Sequence, residues 1–136
     1  MPLITTIHHI NFLVRDLDSA VKRYQAMFQT EEVIREDLPR RGVKSARFKL
    51  GDTWLVLLEP LDADNVPGRH LAKHGEGFFL ISYRVNDLDT ASAVIGAQGI
   101  EVLDAKARAG LADWRVKDLS SEDLFGVNSQ LAKSAD

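Results

Sequence analysis

The chain of 136 residues contains no cysteine, only four prolines and no large excess of either charge. Without cysteine it cannot form disulfides, thiolate nucleophiles or thiolate metal sites, which is compatible with a cytoplasmic location. A net charge of −3 provides no basic field, so we expect neither nucleic acid nor an anionic membrane as partner. No stretch approaches the ~20 apolar residues of a membrane span, and the first residues carry no signal-peptide pattern. We therefore expect a cytoplasmic globular protein.

What the chain does contain is a repeat with an offset of 71 positions. Residues 14–20 read VRDLDSA, and residues 85–91 read VNDLDTA. Each copy follows a short apolar run that is typical of a buried strand, and Asp16 and Asp87 are each placed to cap the helix that follows. The repeat predicts two copies of one module, with a ligand site in the groove between them.

Each copy continues with three segments that we predict to be extended. They are residues 32–35, 43–50 and 53–59 in the first copy, and 101–104, 111–118 and 126–131 in the second. Residues 42–49 and 110–117 look equivalent, because Arg and Lys alternate with apolar residues in both. The predicted organisation is one structural domain with βαβββ modules at 1–59 and 78–131, a connector at 60–77 whose short helix Pro67 opens, and a tail at 132–136.

Several motifs resemble those of the vicinal oxygen chelate superfamily, which includes glyoxalase I, methylmalonyl-CoA epimerase, extradiol dioxygenases and bleomycin-resistance proteins. In order they are IHHI at 7–10, the VxDLD that follows, LLEPL at 57–61 and KHGEG at 73–77. They are most similar to the epimerase-like branch. The resemblance covers roughly residues 4–131 and implies an α+β fold of tandem βαβββ modules, whose curved mixed sheets form an open cleft. It also implies a divalent metal on the cleft floor and a homodimer.

The resemblance places the four metal-ligand positions of the superfamily at His9, Val56, Leu80 and Gln130. Valine and leucine offer no lone pair to a cation, and Gln130 is an amide where a glutamate is usual. We therefore expect no bound metal and no other cofactor. The alternative is a divalent metal in a rebuilt site that adds Glu59 or His8 to the two remaining donors.

Alternation along the strands predicts the lining of a ligand pocket. The predicted pocket residues are His9, Asn11, Trp54, Val56, Leu58, Leu80, Ser82, Arg84, Asn128 and Gln130. A mostly apolar lining with a few polar groups is typical of a small-molecule site. The same alternation predicts that His8 points away from His9 and is structural. His70 and His74 form an HxxxH pair that we interpret as a solvated helix face.

Three functions remain open at this point. The sequence favours a protein that binds a small amphipathic or acidic molecule without a metal. A metal-dependent lyase or isomerase, resembling lactoylglutathione lyase or methylmalonyl-CoA epimerase, is the alternative that the superfamily implies. The third is a metal-free enzyme in which His9 or Arg84 performs acid–base chemistry, with His9 the predicted catalytic residue. Arg84 is as well suited to pairing with a neighbouring acid as to holding an anionic ligand.

Overall fold

A computed structural model describes residues 2–135. The chain divides into two compact units, which we call the first unit (residues 10–79) and the second unit (residues 2–9 together with 80–135). The division falls inside strand β1 (Ile7–Leu13), whose first three residues belong to the second unit and whose remaining residues belong to the first.

The first unit packs one helix against a sheet. Its further elements are α1 (Leu17–Phe28), β2 (Ile34–Leu38), β3 (Val43–Leu50), β4 (Thr53–Pro60) and α2 (Val66–His74), and its strand order is β2-β3-β4-β1. Helix α1 begins where Asp16 accepts a hydrogen bond from the Ser19 amide at 3.1 Å. Leu17 and Val21 of this helix pack against Phe48 and other apolar side chains of β3 and β4. Burial of this apolar stripe holds α1 on the sheet.

The second unit repeats the same arrangement. Its elements are β5 (Gly77–Arg84, of which residues 80–84 lie in this unit), α3 (Leu88–Ala97), β6 (Arg108–Ala109), β7 (Arg115–Asp118) and β8 (Ser129–Lys133). The strand order is β5-β8-β7-β6, with β5 and β8 parallel and the other neighbours antiparallel. Asp87 caps α3 by accepting from the Thr90 amide at 2.9 Å, and Leu88 and Ala91 pack on Leu131.

Matching hydrogen bonds show which residues of the two units are equivalent. The Val14 amide donates to the Leu58 carbonyl, and the Val85 amide donates to the Ala132 carbonyl, each at 2.9 Å. The predicted α+β fold of tandem βαβββ modules with mixed strand pairing is therefore confirmed.

Among residues 2–135, the helices are too short or too polar to cross a bilayer.

Two local predictions were wrong. Residues 101–104 do not form a strand. Val102 makes a single bridge to Leu119, and the first of the three strands after the helix is the two-residue β6. Residues 42–49 and 110–117 are also not equivalent in register. Arg47 pairs with Val56 across β3 and β4, and Asp118 pairs with Gln130 across β7 and β8. Arg47 and Asp118 are therefore counterparts, at the offset of 71. Pairing with neighbouring strands decides both points, and such pairing is not local in sequence.

Candidate functional site

Each unit has a sheet face that carries its polar side chains, opposite the face that packs on the helix. We call these the polar faces. The polar face of the first unit contains Glu36, Arg47, Trp54, Val56 and Leu58, and that of the second contains Ser82, Arg84, Asp118 and Gln130. Strand alternation places them there, because Ala46, Phe48 and Leu57 face α1 while Val85 and Leu131 face α3.

A pair of buried histidines belongs to the second unit. The Nδ1 atoms of His8 and His9 lie 2.8 Å apart, and His8 Nε2 lies 2.8 Å from Ser134 Oγ. Both rings contact Trp114: His9 stacks on it with centroids 4.6 Å apart, and His8 meets it edge-on at 4.7 Å. A regular strand sends adjacent side chains to opposite faces, yet these two rings meet and both contact Trp114. The prediction that His8 points away from His9 was wrong.

The two rings share a single proton between their Nδ1 atoms, because one must donate and the other accept. If His9 donates, His8 can donate from Nε2 to Ser134 Oγ, and His9 Nε2 keeps its lone pair. In the reverse arrangement the Ser134 hydroxyl donates to His8, and His9 carries its proton on Nε2. Burial, and secondarily the charge of His8, lowers the pKa of His9 to about 3. His9 is thus a neutral imidazole at physiological pH.

Gln130 is held by a chain of polar contacts in the second unit. Its Nε2 donates to Asp118 Oδ1 at 3.0 Å, and Asp118 Oδ2 pairs with Arg108 at 2.5 Å. The other amide atom, Gln130 Oε1, is buried without a hydrogen-bond partner, as is Ser82 Oγ on the neighbouring strand. The polar face of this unit therefore presents two buried oxygen atoms whose hydrogen bonds are not made by the protein.

Charged and aromatic side chains occupy the polar face of the first unit. Arg47 donates to Glu36 Oε1 at 2.7 Å, and its guanidinium carbon lies 5.3 Å from the Trp54 ring centroid. Lys49 Nζ lies 4.8 Å from the same ring. Cations placed this close to an indole are attracted by its ring electrons. Asn11 Oδ1 in this unit is buried without a hydrogen-bond partner.

The predicted pocket residues divide between the units. Asn11, Trp54, Val56 and Leu58 lie in the first unit, and His9, Leu80, Ser82, Arg84, Asn128 and Gln130 lie in the second. Sequence reasoning missed the roles of Trp114, Asp118 and Ser134. Ser134 lies outside every motif and reaches His8 across 126 positions, so no local signal could have revealed it.

The two donors proposed for a rebuilt metal site have other contacts. Glu59 Oε1 accepts from the Leu17 amide at 2.8 Å at the start of α1, and His8 bonds to His9 and Ser134. The His70 and His74 rings on α2 are tilted relative to each other with centroids 4.5 Å apart, and His74 is exposed. A surface depression of about 370 Å³ at the end of α1 contains none of the predicted site residues.

Comparison with known proteins identifies the family. A sequence model of the Glyoxalase/Bleomycin resistance protein/Dioxygenase superfamily matches residues 8–117, which is most of the chain. The chain belongs to this superfamily.

Relatives within the superfamily point to one branch. A Streptomyces coelicolor methylmalonyl-CoA epimerase variant, solved with 2-nitronate-propionyl-CoA, is 35% identical with a TM-score of 0.91, and the match covers 97% of this chain and 96% of that one. The Mycobacterium tuberculosis methylmalonyl-CoA epimerase is 29% identical with a TM-score of 0.90, covering 98% and 91%. The mitochondrial methylmalonyl-CoA epimerase of Bos taurus is 26% identical over 129 residues, which is 94% of this chain and 74% of the relative. These similarities support the epimerase-like branch of the superfamily.

The residues at the superfamily's metal-ligand positions do not fit a divalent ion. Strand pairing independently confirms that Val56 and Gln130 are equivalent, and the repeat offset makes His9 and Leu80 equivalent. Two of these four side chains are aliphatic, and the other two are neutral. Among residues 2–135, no group of three or more His, Asp or Glu side chains is arranged to hold a metal. A divalent ion prefers at least three donors, with carboxylates among them for Mg²⁺ or Mn²⁺.

Proposed function

We propose that this superfamily member binds a coenzyme A thioester and acts as an epimerase-like isomerase, transferring a proton at the carbon next to the thioester carbonyl. The observation that carries the proposal is the match to the Streptomyces coelicolor epimerase, at 35% identity and a TM-score of 0.91 over 97% of the chain. The mammalian epimerases match nearly the whole chain as well. This replaces metal-free binding, which the sequence alone favoured, as the first candidate.

His9 is the residue that we propose moves the proton. A lone imidazole with a pKa of about 3 would be a weak general base. The hydrogen bonds to His8 and Ser134 offer a different route. As His9 Nε2 takes up a proton, its Nδ1 proton passes to His8, the His8 Nε2 proton passes to Ser134, and the serine hydroxyl releases its own proton. His9 then remains neutral throughout, and the partly exposed Ser134 connects the chain to solvent.

Deuterium exchange tests this activity directly. We expect methylmalonyl-CoA incubated with the protein in D₂O to incorporate deuterium at C2, as followed by mass spectrometry. His9→Gln should slow exchange about 100-fold or more, since general acid–base groups contribute 10²–10⁴-fold. His74→Gln, on the exposed end of α2, is the matched control and should exchange at the unaltered rate. Exchange by His9→Gln at the full rate would contradict the role of His9.

A second candidate, metal-free binding without turnover, draws support from Val56 and Leu80, which cannot contribute to an oxyanion-stabilising ion. It predicts that calorimetry detects thioester binding while deuterium exchange stays at the uncatalysed rate. The metal-dependent form of the isomerase predicts about one divalent ion per chain by metal analysis, and loss of exchange after chelation.

The homodimer expected from the resemblance is also a proposal. Light scattering coupled to size exclusion should give twice the chain mass of 15.1 kDa. A single-chain mass at micromolar concentration would contradict it.

A further inference from the structure

Two neighbouring residues of the second unit each have a buried side-chain oxygen atom without a hydrogen-bond partner. Ser82 is 0% exposed and Gln130 is 6% exposed, yet neither Ser82 Oγ nor Gln130 Oε1 makes a hydrogen bond. The two residues are paired in the parallel register of β5 and β8, so their side chains share the polar face. Buried polar atoms are normally satisfied, and each exception calls for an explanation.

The orientation of the Gln130 amide is fixed by its other contacts. Nε2 donates to Asp118 Oδ1, and Arg108 in turn pairs with Asp118. A flipped amide would place its carbonyl oxygen against this carboxylate, so the flip is disfavoured. Gln130 Oε1 is therefore a fixed acceptor. The Ser82 hydroxyl can rotate, and it can donate or accept.

These properties select a particular kind of ligand group. A fixed carbonyl acceptor repels an anion such as a carboxylate, and two neutral oxygens are a poor site for a divalent cation. A hydroxyl fits both atoms, because one oxygen can donate to Gln130 Oε1 and accept from the Ser82 hydroxyl. An amide nitrogen could donate to both oxygens, but it cannot accept, so it would leave the Ser82 hydroxyl proton without an acceptor.

The equivalent place in the first unit lacks this combination. There Asn11 is the counterpart of Ser82, and the aliphatic Val56 is the counterpart of Gln130. Asn11 Oδ1 is also without a partner, but no second oxygen lies on Val56. Within residues 2–135, the paired oxygens are therefore found in the second unit and not at the equivalent place of the first.

We infer that Ser82 and Gln130 together bind a hydroxyl group on the acyl chain of the ligand, so that hydroxyacyl-CoA thioesters are preferred among its ligands. The inference rests on the proposed function, because it assumes a thioester ligand. It deepens that function by assigning two residues to substrate specificity. A trapped water molecule has the same hydrogen-bonding chemistry, and it is an outcome of the test.

The experiment compares 3-hydroxybutyryl-CoA with butyryl-CoA by isothermal titration calorimetry. We expect the unaltered protein to bind the hydroxyacyl thioester 10- to 100-fold more tightly, because the analogue without a hydroxyl leaves buried groups unpaired. Gln130→Leu and, separately, Ser82→Ala should reduce the ratio to less than about 3-fold, mainly by weakening the hydroxyacyl complex. Ser129→Ala is the matched control on the same strand. Its hydroxyl donates to the Val127 carbonyl, and the ratio should persist.

The outcomes separate this inference from the proposed function. Equal affinity for the two thioesters would overturn the inference and leave thioester binding intact. A preference that survives in both Gln130→Leu and Ser82→Ala would also overturn it, as would equal affinity with a water molecule between the two side chains in a crystal structure. If neither thioester binds, the proposed function fails, and the inference fails with it. Ser82→Ala removes one oxygen without a partner, so it provides a variant that should fold.

Discussion

The two units carry an ion pair at equivalent positions but with the charges exchanged. In the first unit Glu36 on β2 pairs with Arg47 on β3 at 2.7 Å, and in the second Arg108 on β6 pairs with Asp118 on β7 at 2.5 Å. The Arg47 side chain is 7% exposed, whereas Arg108 and Asp118 are each 36% exposed. Both units therefore have a salt bridge at this place, but the acidic and basic residues have exchanged strands. As a result a cation lies opposite Val56, and a carboxylate lies opposite Gln130.

The exchanged charges allow Asp118 to orient the Gln130 amide in the second unit. The Asp118 carboxylate accepts a hydrogen bond from Gln130 Nε2 and so directs Gln130 Oε1 away from itself. A guanidinium at the same place could not accept this hydrogen bond. The first unit instead places Arg47 and Lys49 around Trp54. Equivalent places in the repeat are therefore a charged aromatic surface in one unit and a hydrogen-bonding site in the other.

The largest expected effect is on the pH dependence of the free energy of unfolding. It is tested by His9→Leu, which introduces the side chain of Leu80, the counterpart of His9 in the repeat. The folded pKa of His9 is about 3 against 6.5 for the unperturbed group, so the unfolded chain binds the extra proton between these values. The free energy of unfolding should therefore fall as pH drops through this window, by about 3 kcal/mol between pH 7 and pH 4. In His9→Leu that portion of the pH dependence should disappear, as measured by urea denaturation. His74→Leu should keep it, and an unchanged acid sensitivity in His9→Leu would show that His9 is not neutral in the fold.

Loss of each ion pair should decrease the free energy of unfolding, and the decrease should differ between the two. Glu36→Gln leaves the buried Arg47 without its charged partner, and we expect about 2 kcal/mol of destabilisation, reduced from the fully buried case because Glu36 is partly exposed. Asp118→Asn affects a half-exposed pair and should cost about 1 kcal/mol. Urea denaturation at two salt concentrations measures both variants. Equal decreases in the free energy of unfolding would contradict the difference that we predict from the burial of the two pairs.

The smallest effects should come from the repeated helix caps, where the units are most alike. Asp16→Ala and Asp87→Ala each remove a carboxylate that accepts a helix-start amide. Hydrogen bonding from the Thr90 amide holds the pKa of Asp87 below its usual value, so this cap is lost only at acidic pH. We expect small and similar decreases in the denaturation midpoint of the two variants at pH 7. A decrease in only one variant would show that the two helix caps do not contribute equally to stability.

The features that could be predicted from sequence are those encoded locally. The Asp caps, the helical stripes and the repeat offset of 71 define βαβββ modules, because caps and apolar periodicity act within a few residues. The short strand β6 could not be predicted in place of residues 101–104, since an edge strand exists only through pairing with its neighbour. The candidate site followed the same division. The resemblance to the superfamily placed Gln130 in the site, but it could not reveal that Asp118 accepts the hydrogen bond of the Gln130 amide.

The amino-acid sequence by itself determined the duplication, the module architecture, and the aliphatic character of Val56 and Leu80 where the superfamily places metal ligands. Only the tertiary structure decided that His8 turns toward His9 and reaches Ser134, and that Asp118 orients Gln130. The physical reason is one of range. Side-chain chemistry is a property of each residue, whereas the hydrogen-bond partner of a buried polar group is chosen by strands that meet from distant parts of the chain.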